Sequence, residues 1–570
     1  MANITGDGGA NVLEGTEFSD VLKGLGGNDT LHGNGQGDVL LGGTGADLVY
    51  GGDGGDVLQV GDGDTALGEI YNGGAGHDLL KITSAVAPVI GAFSVDFVNS
   101  SISSIEALDF FSTAAPVFAS FRASSFGGKG FASTLDVNGS NSADHISIAM
   151  GSDSSLNLSG LTFANWSAED TISIYGDTSD ETIFGSSVAD GIFAGLGTDF
   201  VAAGGGDDII NINQTSVGDS YNGGSGFDTM QVSAFKTDLR GATLTSIEAL
   251  TYGGIGASAN VLLTLSADQF GGSGLSTSLL ITNSHGSFDS MTIFMGSGTF
   301  FDASGFVFAG SPGQDGISAF GDADEETIIG SSGGDYLDGG EGDDVLIGGK
   351  GDDSFSFYGD PGADLMFGGA GDDAYYLYDA GDIAAEVLGG PDPGGTDVVL
   401  TQVTATLGNF IENLAMFTDD SQDINGTGNG LDNRIEGNFG ANVLSGLGGA
   451  DWLFGRTGVD ELWGGTGKDS FVFSSTADSG VRAGSRDTIM DFKHGDHIDV
   501  WQIDANVLLG EDDEAFVLDT GGLGFTAGEF RITASRQGSV ISFNTDGDSA
   551  AEMIILVRNV TDLTVADFIL

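Results

Sequence analysis

The sequence reads as an all-β chain, a right-handed parallel β-roll or β-solenoid with a β-rich C-terminal cap. Three observations predict this. Nine-residue units of the form Gly-Gly-x-Gly-x-Asp-x-U-x, with U a large apolar residue, follow one another without a break, as in GSSGGDYLD-GGEGDDVLI-GGKGDDSFS from Gly330 to Ser356. Between such blocks lie short alternating apolar runs separated by turn residues, the pattern of strands. No long amphipathic helical stretch is evident.

The unit explains itself physically. Glycines let the backbone take φ > 0 and turn sharply with its carbonyls pointing inward. The sixth-position aspartate adds carboxylate oxygens. Carbonyls and carboxylates at close quarters suit a hard cation with six to eight oxygen ligands, Ca²⁺ rather than Mg²⁺. The last three residues form a short strand whose middle residue points into the core. Two units make one coil, so like turns stack on each side with an ion between successive turns. In the block Gly330–Ser356 the ligand candidates are Asp335, Gly339, Gly342, Asp344, Gly348, Gly351 and Asp353. A flexible Gly-rich linker would not hold Asp and U in strict nine-residue register.

The first repeat block lies in residues 1–81. Its sixth positions are Asn11, Asp20, Asp29, Asp38, Asp47 and Asp56, with a separate unit carrying Asp78. Asn11, neutral and first, is the end unit that caps a stack. Residues 82–175 carry no nonapeptide and read as wider solenoid coils; a compact inserted sandwich is the alternative. The second block, 176–231, has Glu181, Asp190, Asp199 and Asp208 in register, then a lone unit with Asp228. Residues 232–320 repeat the insert: SIEAL recurs at Ser104 and Ser246, and GDTSDETIFGSS from Gly176 returns as GDADEETIIGSS from Gly321. The third block, 321–376, carries Glu326, Asp335, Asp344, Asp353, Asp364 and Asp373; a spacer, 377–427, contains IENL from Ile411. The fourth, 428–472, carries Asn433, Asn442, Asp451, Asp460 and Asp469, and a tail fills 473–570.

The nonapeptide resembles the calcium-binding repeat of RTX, or hemolysin-type, exoproteins. The tail resembles the C-terminal region of serralysin metalloproteases: Asp487 to Phe492, Gly495-Asp496, Asp546-Gly547-Asp548 and the ending Asp567-Phe568-Ile569-Leu570 fall in that family's order. The resemblance implies a cap on the roll and an uncleaved type I secretion signal, hence a transporter as partner and a secreted, extracellular or cell-surface location. The family's protease domain is missing.

Composition narrows the rest. The 570 residues include 100 Gly and no Cys, and 83 Asp plus Glu stand against 16 Lys plus Arg, a net charge of −67. That field argues against nucleic acid or anionic lipid as a partner. Lack of Cys excludes disulfides and thiolate metal sites. No Sec-type signal is visible at the start. The most apolar run, Ala85 to Val98, is too short to span a bilayer.

Catalytic patterns are weak. None of the six His is followed by Glu, so no His-Glu-x-x-His zinc motif occurs. His494 and His497 read as loop residues. Gly-x-Ser-x-Gly around Ser332 is a repeat unit in register rather than a nucleophile elbow. Asp546-Gly547-Asp548 reads as a hairpin turn. Paired acids such as Asp343-Asp344 could serve a glycosidase, but their register favours ion binding or solvation of the turns. The expectation is a secreted, non-catalytic calcium-binding protein, plausibly a surface, matrix or adhesion component. The alternatives are a polysaccharide-active lyase, epimerase or glycosidase on the same scaffold, and a surface-layer subunit contacting neighbouring copies.

Overall fold

The computed structural model describes residues 1–61, 63–83, 93–112, 115–213, 218–253, 261–283, 290–309, 316–355, 361–387, 389–417, 421–508, 514–521 and 524–570. Part of the apolar run near Ala85, and Ser356 at the end of the Gly330–Ser356 stretch, lie outside them. Two compact units result, Met1–Ser290 with Phe306–Ser311, and Met291–Gly305 with Pro312–Leu570.

In the first unit, each pair of nonapeptides forms one coil. Val21–Gly26 runs parallel to Val39–Thr44 with Leu22 opposite Leu40. Thr30–Gly35 runs parallel to Leu48–Asp53 with Leu31 opposite Val49. Alternate units therefore feed two different sheets. The U residues Leu22, Leu31, Leu40, Val49 and Leu58 are buried between them, while their neighbours stay partly exposed. This is the period-2 pattern of a strand with one buried face.

The inserts are also solenoid. Val117–Arg122, His145–Ala149 and Thr171–Tyr175 pair in parallel, Phe118 opposite His145 and His145 opposite Thr171. The coils have lengthened to about 26 residues. Parallel pairing rules out the sandwich alternative, whose sheets are antiparallel. Large aromatics fill the wider interior, with Phe97 stacked on Phe121 at 5.0 Å. The duplication seen in sequence is structural. Ile105–Phe111 pairs with Phe131–Asn138, and Ile247–Tyr252 with Leu275–Asn283, each with a register break just after its first residue.

In the second unit the same two-sided roll runs from Ile317–Phe320 and Thr327–Ile329 through the third and fourth blocks. The tail then closes it. Thr488–Ile489 pairs with Met553–Arg558, which continues into an antiparallel hairpin with Gly538–Asn544 and Glu529–Ala534. The turn at Asp546-Gly547-Asp548 lies in the connection between Gly538–Asn544 and Met553–Arg558, as its sequence suggests. Phe568–Ile569 pairs with His497–Asp499. The loop reading of His497 is corrected here: it opens a strand, because Ile498 must lie in register with Phe471 to be buried. His494 instead faces Asp567 at 3.2 Å and Asp562 at 3.3 Å. Among the described residues the helical elements are three-residue 3₁₀ turns, and no helix is long and apolar enough to cross a membrane.

Candidate metal centres

The first six residues of each nonapeptide make the turn between the two sheets. In most turns the second residue is left-handed, as at Gly43 (φ +94°), where a Cβ would run into the Leu25 carbonyl of the preceding coil. Non-glycine residues accept the same strain in this place: Leu25, Asn34, Leu447 and Arg456 have φ of 79°, 81°, 70° and 65°. Such conformations cost energy and persist only where the surroundings impose them.

Each turn ends on its sixth-position acid, and these acids form ladders. Asp20 N–H donates to Asp38 Oδ1 at 2.6 Å, Asp38 N–H to Asp56 Oδ1 at 2.7 Å, and Asp56 N–H to Asp78 Oδ1 at 2.8 Å. Asp29 to Asp47 forms part of a second ladder on the other side. The same runs join Asp190, Asp208 and Asp228, Asp335, Asp353 and Asp373, Asp344 and Asp364, and Asp451 and Asp469. Asp199 accepts from Glu181 and Asp460 from Asn442. One carboxylate oxygen per acid is used in this way.

The other oxygen decides the chemistry. In Asp29, Asp38, Asp47, Asp56, Asp78, Asp208, Asp228, Asp344, Asp353, Asp373, Asp451 and Asp460, Oδ2 is buried without a hydrogen-bond partner. A bare buried carboxylate oxygen is costly. It is also aimed: a Cβ on Gly348 would meet both Asp353 Oδ2 and the Gly368 carbonyl of the next coil, and one on Gly339 would meet Asp344 Oδ2. The carbonyls of Gly342 and Gly351 point in turn at Gly362 and Gly371. Carboxylate and carbonyl oxygens converging on faces free of side chains fit Ca²⁺. Burial, followed by repulsion from acids in adjacent coils, pushes Asp47 and Asp56 up to about 6 and Asp208 up to about 8. Below those values each group holds a proton unless a cation takes its place.

A second kind of turn satisfies itself. Where the second residue is Thr or Ser, it donates to the sixth-position acid: Thr16 N–H to Asp20 at 2.7 Å, Ser186 N–H to Asp190 at 2.6 Å, and Ser331 Oγ to Asp335 at 2.8 Å. Asn429 and Asn438 in the fourth block donate to their sixth-position Asn in the same way. Asn442 goes further. Its Oδ1 accepts from Asn438 N–H and its Nδ2 donates to the Ile424 carbonyl at 2.6 Å, so the amide supplies the positive end that a carboxylate lacks. Asn433 is built alike, with Nδ2 reaching the Ile411 and Glu412 carbonyls.

The ladders also end on residues that the nonapeptide does not contain. Asp78 N–H donates to Glu106 Oε2, Asp228 N–H to Glu248 Oε2, and Asp397 N–H to Glu412 Oε2, at 2.8, 2.8 and 2.9 Å. These are the glutamates of SIEAL, SIEAL and IENL. The recurring motif signalled them, but as strand sequence it hides a capping role. Glu69 also lies outside the repeat pattern. It is buried, with Oε2 accepting from Tyr71 at 2.9 Å and Oε1 unpartnered.

The model of the RTX calcium-binding nonapeptide repeat, in four copies, matches residues 5–40, 32–67, 175–210, 320–355, 356–379, 427–462, 436–471 and 445–478. No curated protein matches the chain. The lone units carrying Asp78 and Asp228 fall outside the matched segments yet form turns of the first kind. The chain therefore carries RTX calcium-binding nonapeptide repeats on an all-β roll, the repeats by which a protein binds several Ca²⁺ ions.

Proposed function

We propose that this is a secreted, non-catalytic scaffold that folds on Ca²⁺ outside the cell and serves as a surface, matrix or adhesion component. The observation that carries the reading is the file of buried carboxylate oxygens without partners in a chain of net charge −67. Stacked acids repel one another, so the coils close only when the charge is neutralised. Ca²⁺ supplies that neutralisation and, by binding the folded state alone, stabilises it by mass action. Low cytosolic calcium leaves the chain open for export; high external calcium closes it.

The serralysin-like tail supports a type I transporter as the exporter. Phe568–Ile569 pairs with His497–Asp499, so a signal at this end is accessible only before folding, which agrees with export of an unfolded chain. The test uses a cell that has a type I transporter. The full chain should reach the medium, and a chain lacking about its last sixty residues should stay inside. Equal export of both would refute the reading.

A further inference from the structure

We infer that Asp373, Glu386 and Asp397 form a separate cation site that closes the third block, built in part by spacer residues outside the nonapeptide. The three side chains each offer a carboxylate oxygen within 4.8 Å of the others, and all are buried. Asp373 is 1% exposed and its Oδ2 has no hydrogen-bond partner. A Cβ on Gly368 would meet Asp373 Oδ2 and Tyr375 Oη together, so both face one point. Tyr375 O–H donates to Glu386 Oε1 at 2.5 Å, Gly369 N–H to Glu386 Oε2 at 3.2 Å, and Asp373 N–H to Asp397 Oδ1 at 2.9 Å. Two consecutive turns thus lean their acids on the same spot.

Register shows what is unusual. Phe367 lies opposite Ala385 in the parallel pair Leu365–Ala370 with Ile383–Ala385. Glu386 therefore follows Ala385 as Gly368 follows Phe367, in the place where an ordinary unit has its first glycine. At Gly348 the next coil presents a glycine carbonyl, from Gly368; beside Gly368 the next coil brings the Glu386 carboxylate, which accepts from Gly369 N–H. Asp397 arrives from the same enlarged turn. Other tyrosine–acid pairs among the described residues, such as Tyr71 with Glu69 and Tyr221 with Asp219, are not in a three-acid group. Three buried carboxylates and a tyrosine hydroxyl make a harder, more negative donor set than one aspartate with carbonyls. It suits an oxygen-seeking divalent ion such as Ca²⁺, or a trivalent lanthanide still better.

The inference rests on the calcium reading of the roll but fails separately from it. Native mass spectrometry of the full chain refolded in Ca²⁺ counts bound ions. The double variant Glu386→Gln, Asp397→Asn keeps Asp373 and every nonapeptide ligand, and should carry one ion fewer than the natural chain. An equal count overturns this site and leaves the repeat sites standing; a natural chain with no bound ion overturns both. Should the double variant fail to fold, Tb³⁺ serves as probe in Tyr375→Phe. Tyrosine-excited Tb³⁺ emission should then fall with the ion count unchanged. Unchanged emission would place the ion away from Tyr375 and overturn the site.

Discussion

Replacing Asp344 with alanine should damage calcium-driven folding far more than replacing Asn11. Asp344 is 1% exposed, and its Oδ1 accepts Glu326 N–H at 2.7 Å. Its Oδ2 is buried, unpartnered and turned toward Gly339. Alanine leaves that N–H without a partner, a loss of about 1–3 kcal/mol. It also leaves the ion short of a charge partner; breaking a buried charge pair costs about 3–5 kcal/mol. The two terms overlap, so about 3–5 kcal/mol is the working figure. Asn11 is neutral and partly exposed, and its Oδ1 accepts from Asp7 N–H at 2.7 Å in an exposed setting. Its removal should cost nearer ~1 kcal/mol. Each 1.4 kcal/mol is about a tenfold change in an equilibrium constant, but a cooperative stack divides the shift among its ions. The order of the variants is therefore the criterion. The assay is the calcium midpoint of β formation by far-UV circular dichroism for Asp344→Ala and Asn11→Ala. A shift in Asn11→Ala as large as that in Asp344→Ala would refute the ladder assignment.

Two further outcomes follow from the same geometry. Burial raises the folded-state pKa of Asp47 and Asp56 to about 6, of Asp451 to about 7 and of Asp208 to about 8, against an ordinary 3.8. A raised acid favours the fold fully below its unfolded pKa and loses that contribution as pH climbs through its folded pKa. In EGTA, β content should thus be greatest near pH 4 and fall as pH rises through 6 to 8; a rise over that window would contradict the burial of these acids. Glu248→Ala removes the acceptor of Asp228 N–H and should cost about 1–3 kcal/mol, read as the urea midpoint in saturating Ca²⁺. Glu248→Gln keeps an acceptor and should lie close to the natural chain; equal loss in both would show that the charge, not the cap, matters.

Much of this was legible in the sequence because the period carries it. Strict spacing of Asp and U gives both the stacking direction and the buried row, and Leu31 opposite Val49 is what that spacing requires. The duplicated insert was readable from SIEAL, and its solenoid form from short strands at wide spacing. Less legible was the second residue of each turn. Thr16, Ser186 and Ser331 look like tolerated replacements of glycine, yet their backbone N–H groups meet the sixth-position Oδ2 that elsewhere stays bare. The period marks where an acid lies, not how many of its oxygens the fold already satisfies. Glu386 and Asp397 were hidden for a different reason. They belong to a turn too long for the nonapeptide, and only parallel register brings Glu386 level with Gly368. Likewise the alternation that makes His497 a strand residue depends on a partner, Ser470, 27 residues back.

The claim on which the rest stands is that these carboxylates close the roll only with calcium. Far-UV circular dichroism of the full chain at neutral pH, first in EGTA and then in millimolar Ca²⁺, tests it most directly. The account predicts a largely coil spectrum in EGTA that becomes a β spectrum on adding Ca²⁺ and reverts on chelation. The same β spectrum in both solutions would contradict it.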